Sequence, residues 1–156
     1  MVAPIGAGKG LRRPNAYGED MKPEDLNRLT ERVIGCAIEV HRELGPGLLE
    51  SVYEECLCIV MQEAGISFVR QGEVPVVFRG RVMPLSFRYD VLVEGCLVLE
   101  LKAVDHLTGL HQAQLLTYLK LTGHPLGLLC NFNVSVFKNG LRRLINPSHP
   151  HDLHLP

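Results

Sequence analysis

The chain has 156 residues, which suits one ordinary domain with its own core and makes a two-domain protein unexpected. Hydrophobic residues make up 46% of it and charged residues 21%, which excludes a disordered or fibrous protein. The formal net charge of -1 excludes a chain-wide field that attracts polyanions, so any contact with nucleic acid must use a local patch.

The cysteines and the apolar runs predict a reducing compartment. The five cysteines are odd in number and form no CxxC pair, so we interpret them as reduced core residues of a cytoplasmic protein. No apolar run approaches the ~18 residues of a membrane helix, and the N-terminus lacks the apolar stretch of a secretory signal. We therefore expect no membrane partner and no export.

The two ends of the chain differ in texture from its middle. Residues 1–22 are rich in Gly, Pro and Arg without periodicity and predict a flexible leader, with Met21 as an alternative start. Residues 23–147 carry the regular patterns of a folded domain. Residues 148–156 predict a flexible tail, favoured over a metal-binding one because no carboxylate-rich or Cys pattern accompanies their histidines.

Two helices are predicted first. Apolar residues recur at intervals of three and four over Leu29–Leu44, the spacing of one helical face, until Gly45-Pro46-Gly47 breaks the pattern. A second helical pattern runs over Val52–Ala64 and stops at Gly65. The two helices should pack as a pair.

A β-branched, alternating texture then predicts three strands. They cover Val74–Phe78, then Val82–Val93 in one or two pieces, then Cys96–Lys102, with turns near Gly80 and Gly95. Together they form a meander.

A third helix over Leu107–Leu121 and a buried strand over Leu126–Phe132 follow. Lys138-Asn139-Gly140 is a hairpin signal between Val134–Phe137 and Leu141–Ile145, which predicts a terminal strand pair. The order is therefore helix, helix, three strands, helix, strand, with that pair at the end.

Two carboxylates and a lysine stand out on the second and third predicted strands. Asp90 and Glu100 each lie inside a strand-forming run, where burying an ionised group costs several kcal/mol unless a cation or hydrogen bonds compensate. Mg²⁺ prefers such oxygen ligands. Lys102 leaves the same strand face as Glu100 and could orient a water or stabilise charge on phosphorus. A surface salt bridge between Glu100 and Lys102 is the alternative.

Parity decides whether the two carboxylates can meet. A two-residue Glu94-Gly95 loop would pair Asp90 with Leu99 and leave Glu100 on the other face. We therefore predict an odd-length loop or a bulge between Leu92 and Leu97, with Gly95 supplying a positive φ.

Asp90 followed by Glu100-Leu101-Lys102 resembles the D…ExK pattern of PD-(D/E)XK nucleases, although Tyr89 stands where that pattern has Pro. The segments Gly47–Tyr53 and Gln114–Tyr118 resemble the GxxExxY family within that superfamily. The resemblance covers roughly residues 29–146 and implies an α/β fold with a restriction-endonuclease-like core, in which helices pack on a central mixed β-sheet.

The resemblance also implies site roles. Asp90 and Glu100, with the backbone carbonyl of Leu101, would hold Mg²⁺ or Mn²⁺, and Lys102 would be the catalytic base-like residue. Glu50 would add a metal or water contact, unless it is only a first-turn carboxylate favoured by the helix dipole.

Further roles come from the second and third helices. Gln114 would approach the site and Tyr118 would contact nucleic acid, with an amide cap and a packed aromatic as the alternative. Tyr53 would hydrogen-bond into the site and contact nucleic acid, or it would form part of the core. His111 is expected to be structural or solvated rather than catalytic.

The leading hypothesis is therefore a metal-dependent nuclease acting on DNA ahead of RNA. A catalytically inactive nucleic-acid-binding or regulatory module and a protein-interaction or oligomerisation domain are the alternatives, and a homo-oligomer stays open. Arg79, Arg81 and Arg88 could meet phosphates, or they could protect a strand edge from aggregation.

Overall fold

The computed structural model describes residues 21–149. Most of the predicted leader and tail, residues 1–20 and 150–156, lies outside the described residues. The described part contains three α-helices, a five-stranded mixed sheet and a two-stranded sheet, which confirms the predicted α/β fold. Within this part, no helix has both the length and the apolar character needed to cross a bilayer.

Two helices precede the sheet, as predicted. Helix α1 spans Pro23–Leu44 and α2 spans Glu50–Glu63. Helix α1 begins earlier than its apolar repeat because Pro23 stands at the first helical position and acidic residues occupy the first turn, both of which favour a helix start. Its buried side chains include the predicted apolar face.

The sheet strands and the third helix follow in chain order: β1 Phe68–Arg70, β2 Glu73–Phe78, β3 Arg81–Arg88, β4 Val91–Val93, β5 Leu97–Lys102, α3 Gly109–Thr122, β6 Leu126–Asn131 and β7 Leu141–Ile145. The main sheet has the order β1-β4-β5-β6-β7, and β2 pairs only with β3. Strands β5 and β6 are parallel and are joined through α3, whereas the other pairs are antiparallel.

The predicted run Val82–Val93 is two strands, because the chain breaks at Tyr89 and Asp90. The Tyr89 main-chain N–H donates to the carbonyl of Gly72 at 3.0 Å, and the Tyr89 ring lies across that glycine. A Cβ on Gly72 would sit 1.9 Å from the Tyr89 hydroxyl oxygen. At this point the β2–β3 hairpin leaves the main sheet.

The predicted terminal strand pair is wrong. Phe137–Gly140 forms a 3-10 turn, and β7 pairs antiparallel with β6 instead. The Phe137 ring is buried 5.2 Å from that of Phe132, which draws the segment into the core. Gly140 lies against the end of β6, where a Cβ would come within 2.1 Å of the Asn131 carbonyl oxygen. The glycine therefore serves a close backbone approach rather than a hairpin turn.

Two apolar cores lie on opposite faces of the main sheet. The larger core packs between the sheet and helices α1 and α2, and the smaller packs between the sheet and α3. All five cysteines are free, and four are buried, namely Cys36, Cys58, Cys96 and Cys130. This matches the prediction of reduced core residues, with Cys56 half-buried.

Candidate active site

The loop between β4 and β5 has three residues, as the parity argument predicts. Val93 pairs with Leu97, so Glu94, Gly95 and Cys96 form the connection. Both Glu94 and Gly95 adopt positive φ, at 48° and 66°. The register continues through Val91 opposite Leu99 and brings Asp90 opposite Glu100.

The Asp90 carboxylate is tied to the main chain of β5. Its Oδ2 accepts a hydrogen bond from the Leu101 N–H at 2.7 Å. The Asp90 main-chain carbonyl accepts a second bond, from the Gln71 N–H at 2.8 Å. The Asp90 side chain, directly before β4, is therefore held beside the backbone of the ExK segment.

Glu100 and Lys102 leave the opposite face of β5 from Leu99 and Leu101. The two leucines are buried in the larger core, whereas Glu100 and Lys102 line a cleft of about 170 Å³ beneath α3. The other polar and aromatic side chains that line the cleft are Phe87, Arg88, His111, Gln114 and Tyr118. Among the described residues, Glu100 and Lys102 form no salt bridge with each other, which argues against the surface-pair alternative.

The site makes ionisation of its carboxylates costly. Burial and then the charge of Asp90 raise the pKa of Glu100 to about 8, and Lys102 acts in the opposite direction. The pKa of Asp90 is also raised, chiefly by burial, against the lowering effect of its bond from Leu101. The sheet therefore brings two acidic groups together in a place where burial makes their ionised forms costly, and a bound cation would stabilise those forms.

This donor set fits a divalent cation in part. Carboxylate oxygens are ligands that Mg²⁺ and Mn²⁺ prefer, and Mg²⁺ keeps several waters in its shell. Within residues 21–149, no three His, Cys, Asp or Glu side chains are arranged to hold an ion. The two carboxylates would have to be completed by main-chain and water oxygens.

Helix α3 forms the far wall of the cleft. It begins with a capping box, in which the Thr108 side chain accepts from the His111 N–H and the His111 ring accepts from the Thr108 N–H. His111 thus has the structural role expected of it. Gln114 is exposed at the cleft, and Tyr118, four residues on, is buried with its ring edge-on to Phe87 and Tyr89.

The hydroxyl of Tyr118 is an unusual feature of this wall. It is buried and has no hydrogen-bond partner in the described part of the chain. Burial, followed by the charge of Glu100, raises its pKa, so the hydroxyl stays protonated and lies within the field of the carboxylates. A buried donor without a partner is costly unless something that enters the cleft accepts from it.

A model of the PD-(D/E)XK nuclease superfamily matches residues 27–144. The chain belongs to this superfamily. None of the curated proteins matches it, and neither does any solved structure. The match covers every helix and strand except the first four residues of α1 and the last residue of β7, and it includes Asp90 and Glu100-Leu101-Lys102.

In this superfamily member, α2 adds acidic side chains to the edge of the site. Glu50 accepts from the Ala103 N–H at 3.3 Å, just beyond the ExK segment. Glu54, one turn further, is buried and accepts from the Gln71 amide at 2.8 Å, and its charge raises the pKa of Asp90. Sequence reasoning missed Glu54, although its i+4 spacing from Glu50 was a usable signal.

Tyr53 does not enter the site, so its predicted contact with nucleic acid is not supported. Its side chain is completely buried, and its ring stacks on Phe132 at 4.6 Å between centroids. The hydroxyl donates to the Gly45 carbonyl and accepts from the Leu48 N–H at 3.2 Å. Tyr53 is therefore a core residue, because its ring is buried and its hydroxyl is bonded to the loop before α2, which leaves no surface for a ligand.

Asn131 at the end of β6 is a second residue that sequence reasoning missed. Its buried amide accepts from the Val104 N–H at 3.1 Å and donates to the Val104 carbonyl at 2.8 Å. The neighbouring Phe132 N–H donates to the Lys102 carbonyl at 2.9 Å. These bonds fix the chain directly after Lys102, and no sequence pattern indicated them.

Proposed function

We propose that this protein is a metal-dependent nuclease that hydrolyses phosphodiester bonds, and that within the superfamily it is a member of the GxxExxY family. The observation that carries the proposal is the β4–β5 register, which brings Asp90 opposite Glu100 with Lys102 on the cleft face. The raised pKa values of the two carboxylates support it, because such a pair is stabilised by a cation.

Asp90, Glu100 and the main-chain carbonyl of Leu101 are the proposed ligands of Mg²⁺ or Mn²⁺. Such an ion, when bound, acts as a Lewis acid towards a phosphate oxygen and lowers the pKa of a bound water. The hydrogen bond from the Leu101 N–H holds Asp90 in place without occupying its second carboxylate oxygen.

The remaining groups act on the substrate and the water. The Lys102 ammonium orients the attacking water and stabilises the negative charge that builds on the phosphate oxygens. Glu50 contacts the water or the ion from α2. Gln114 donates to the substrate from the exposed wall, and the Tyr118 hydroxyl gives its unused hydrogen bond to the nucleic acid.

DNA is the proposed substrate ahead of RNA, and the cytoplasm is the proposed compartment, since the five free thiols suit a reducing environment.

The deciding experiment incubates the purified full chain with end-labelled single- and double-stranded DNA and RNA, with Mg²⁺, with Mn²⁺ and with a chelator. Cleavage that requires the ion and is lost in Lys102→Ala is expected. Tight binding without cleavage in any ion would replace the proposal with an inactive nucleic-acid-binding module.

A further inference from the structure

The β2–β3 hairpin carries an unpartnered apolar surface. Val74 pairs with Phe87 near its base and Phe78 pairs with Arg81 at its tip, and paired residues share a face. The register shifts between Pro75 and Val77, and strand alternation on each side of the shift adds three more apolar residues to this face. We call it the apolar face; it consists of Val74, Val76, Phe78, Met83, Leu85 and Phe87.

The apolar face is exposed and continues from the cleft. Phe78 is 59% exposed and Leu85 is 70% exposed, far more than folding of the hairpin requires. At the base, Phe87 lines the cleft, and its ring meets that of Tyr118 edge-on at 5.9 Å between centroids. A contiguous exposed apolar surface of this kind marks an interaction site, and here it begins at the cleft wall.

The tip of the hairpin is basic. Between residues 73 and 88 the sequence has one carboxylate, Glu73, and the structure pairs it with Arg88 at 2.9 Å. Arg79 and Arg81 at the tip thus lack an acidic neighbour on the hairpin itself. The Arg79 guanidinium carbon lies 5.3 Å from the centre of the Phe78 ring, so a cation and an exposed aromatic face form one unit.

Arg79 has a strained backbone conformation at the tip of the hairpin. Arg79 and Gly80 form a two-residue turn in which both have positive φ, at 50° and 74°. Turns of this type favour Asn, Asp or Gly at the first of these positions. A long cationic side chain in the left-handed region is an outlier that prompts a functional explanation.

We propose that the apolar face and the arginines of the tip hold a nucleic-acid strand with unpaired bases as it leaves the cleft. This inference rests on the proposed nuclease function and narrows its substrate to single-stranded or frayed nucleic acid. Base faces pack on apolar and aromatic side chains, and the phosphates lie near the arginines. The bases of a closed duplex are stacked inside it and cannot pack on the apolar face. A duplex would instead bring its hydrated phosphates against this face, which is unfavourable.

The dimensions agree with this arrangement. From Phe87 at the cleft to Arg81 at the tip the strand extends about 20 Å at ~3.3 Å per residue. That distance covers about three to six nucleotides, depending on how far the strand is stacked. Loss of the tip should therefore affect only strands long enough to reach it.

The test measures binding of fluorescein-labelled single-stranded and blunt duplex DNA by anisotropy. The full chain carries Lys102→Ala, so that Mg²⁺ can be present without cleavage. Leu85→Ser removes apolar surface from the apolar face. Val82→Ser is its matched control, because Val82 lies on the opposite face of the same strand and is 59% exposed. Arg79→Gly removes the tip cation and also relaxes the backbone, so that its effect is not one of misfolding.

We expect Leu85→Ser and Phe78→Ala to weaken single-strand binding about tenfold, Arg79→Gly to weaken it severalfold with a smaller salt dependence, and Val82→Ser to leave it unchanged. Equal losses for Val82→Ser and Leu85→Ser, or parental binding by all the variants, would overturn the inference. So would a shift from dimer to monomer in sedimentation of the apolar-face variants alone, since that surface would then serve self-association.

Failure of the hairpin inference and failure of the nuclease proposal give different results. If the parent cleaves DNA while the hairpin variants bind and cleave like the parent, only the hairpin inference is wrong. If the variants lose single-strand binding as expected while the parent cleaves nothing in any ion, the hairpin inference stands as a binding surface and the nuclease proposal is wrong.

Discussion

The two faces of strand β5 differ in what they do. Leu97, Leu99 and Leu101 point into the larger core and are almost completely buried there. Glu100 and Lys102, between and after them, point into the open cleft on the other side. Consecutive residues of one strand thus alternate between the core and the cleft, so substitutions at neighbouring positions should have different consequences.

The surroundings of the two faces differ in the same way. On the α1–α2 side, aromatic stacking and close packing leave little that a ligand could reach, as the buried Tyr53 illustrates. On the α3 side, Glu100 with its raised pKa and Tyr118, whose hydroxyl has no partner in the described part of the chain, line the cleft. Polar groups that are costly for folding are concentrated where the proposed substrate would bind.

The largest expected effect is on catalysis by the cleft face. Lys102→Ala should lower the rate of cleavage about a hundredfold to a thousandfold, the size of effect seen when one group that stabilises transition-state charge is lost. Thermal stability and metal affinity should stay close to parental, because Lys102 supplies no ligand atom. Labelled-DNA assays measure the rate, and Lys120→Ala, an exposed lysine on α3, is the matched control. Parental cleavage by Lys102→Ala would reduce Lys102 to a strand-end charge.

The next largest effect is on stability and comes from the core-facing side of β5. Leu99→Ala should lower the free energy of unfolding by about 3 kcal/mol, because a fully buried leucine leaves a cavity in the larger core. Urea denaturation followed by circular dichroism measures this change. The residual folded protein should retain its metal affinity. A Leu99→Ala protein as stable as the parent would contradict the assignment of this face.

The third effect is one of pH on the metal-free protein. The pKa of Glu100 rises from an ordinary 4.5 to about 8 on folding, so the folded state prefers the protonated acid. Its contribution to stability is complete below about pH 4.5 and is lost as pH rises through 8. Glu100→Gln should therefore be more stable than the parent by a few kcal/mol at pH 8 in chelator.

Addition of Mg²⁺ is the control for this pH effect. Adding Mg²⁺ should stabilise the parent increasingly as pH rises and leave Glu100→Gln almost unaffected. Denaturation curves at several pH values, with chelator and with Mg²⁺, provide the comparison. If the stability difference between parent and Glu100→Gln stays constant from pH 4.5 to 8, Glu100 does not titrate as described.

The smallest effect concerns the junction where the hairpin leaves the sheet. Gly72→Ala should cost about 1–3 kcal/mol, since the added methyl collides with the Tyr89 ring, which packs edge-on to Tyr118. Thermal denaturation of a double-mutant cycle with Tyr89→Ala isolates this contact. The methyl should cost almost nothing in the Tyr89→Ala background. An equal cost in both backgrounds would point to the backbone of Gly72 instead.

Much of the fold could be predicted from local pattern. The period of three and four located α1, and the parity of the Glu94–Gly95 turn predicted the odd-length loop that the β4–β5 register confirms. Both succeed because the spacing of side chains along one element determines which face they occupy. The prediction of a hairpin at Gly140 was wrong, because this glycine allows a close approach to the Asn131 carbonyl, a contact that is distant in sequence.

The candidate site was predictable only for residues whose alternation along a strand shows that they lie on the same face. Glu100 and Lys102 share a face by spacing alone, and the cleft contains both. The sequence left Tyr53 open between the site and the core, because an i+3 relation to Glu50 does not say which side of the helix meets the core, and the structure buries its side chain. Asn131 was missed since its role depends on the position of Val104 in space, which no local pattern encodes.

The most direct test of the account is calorimetric titration of the full chain with Mn²⁺ at pH 8, where Glu100 is poised to ionise. Parent protein, Asp90→Asn and Glu100→Gln are compared, with Glu94→Gln in the adjoining loop as the matched control. We expect the parent and Glu94→Gln to bind the ion, and Asp90→Asn and Glu100→Gln to lose that binding. Parental affinity in both Asp90→Asn and Glu100→Gln would contradict the claim that the paired carboxylates form the metal site.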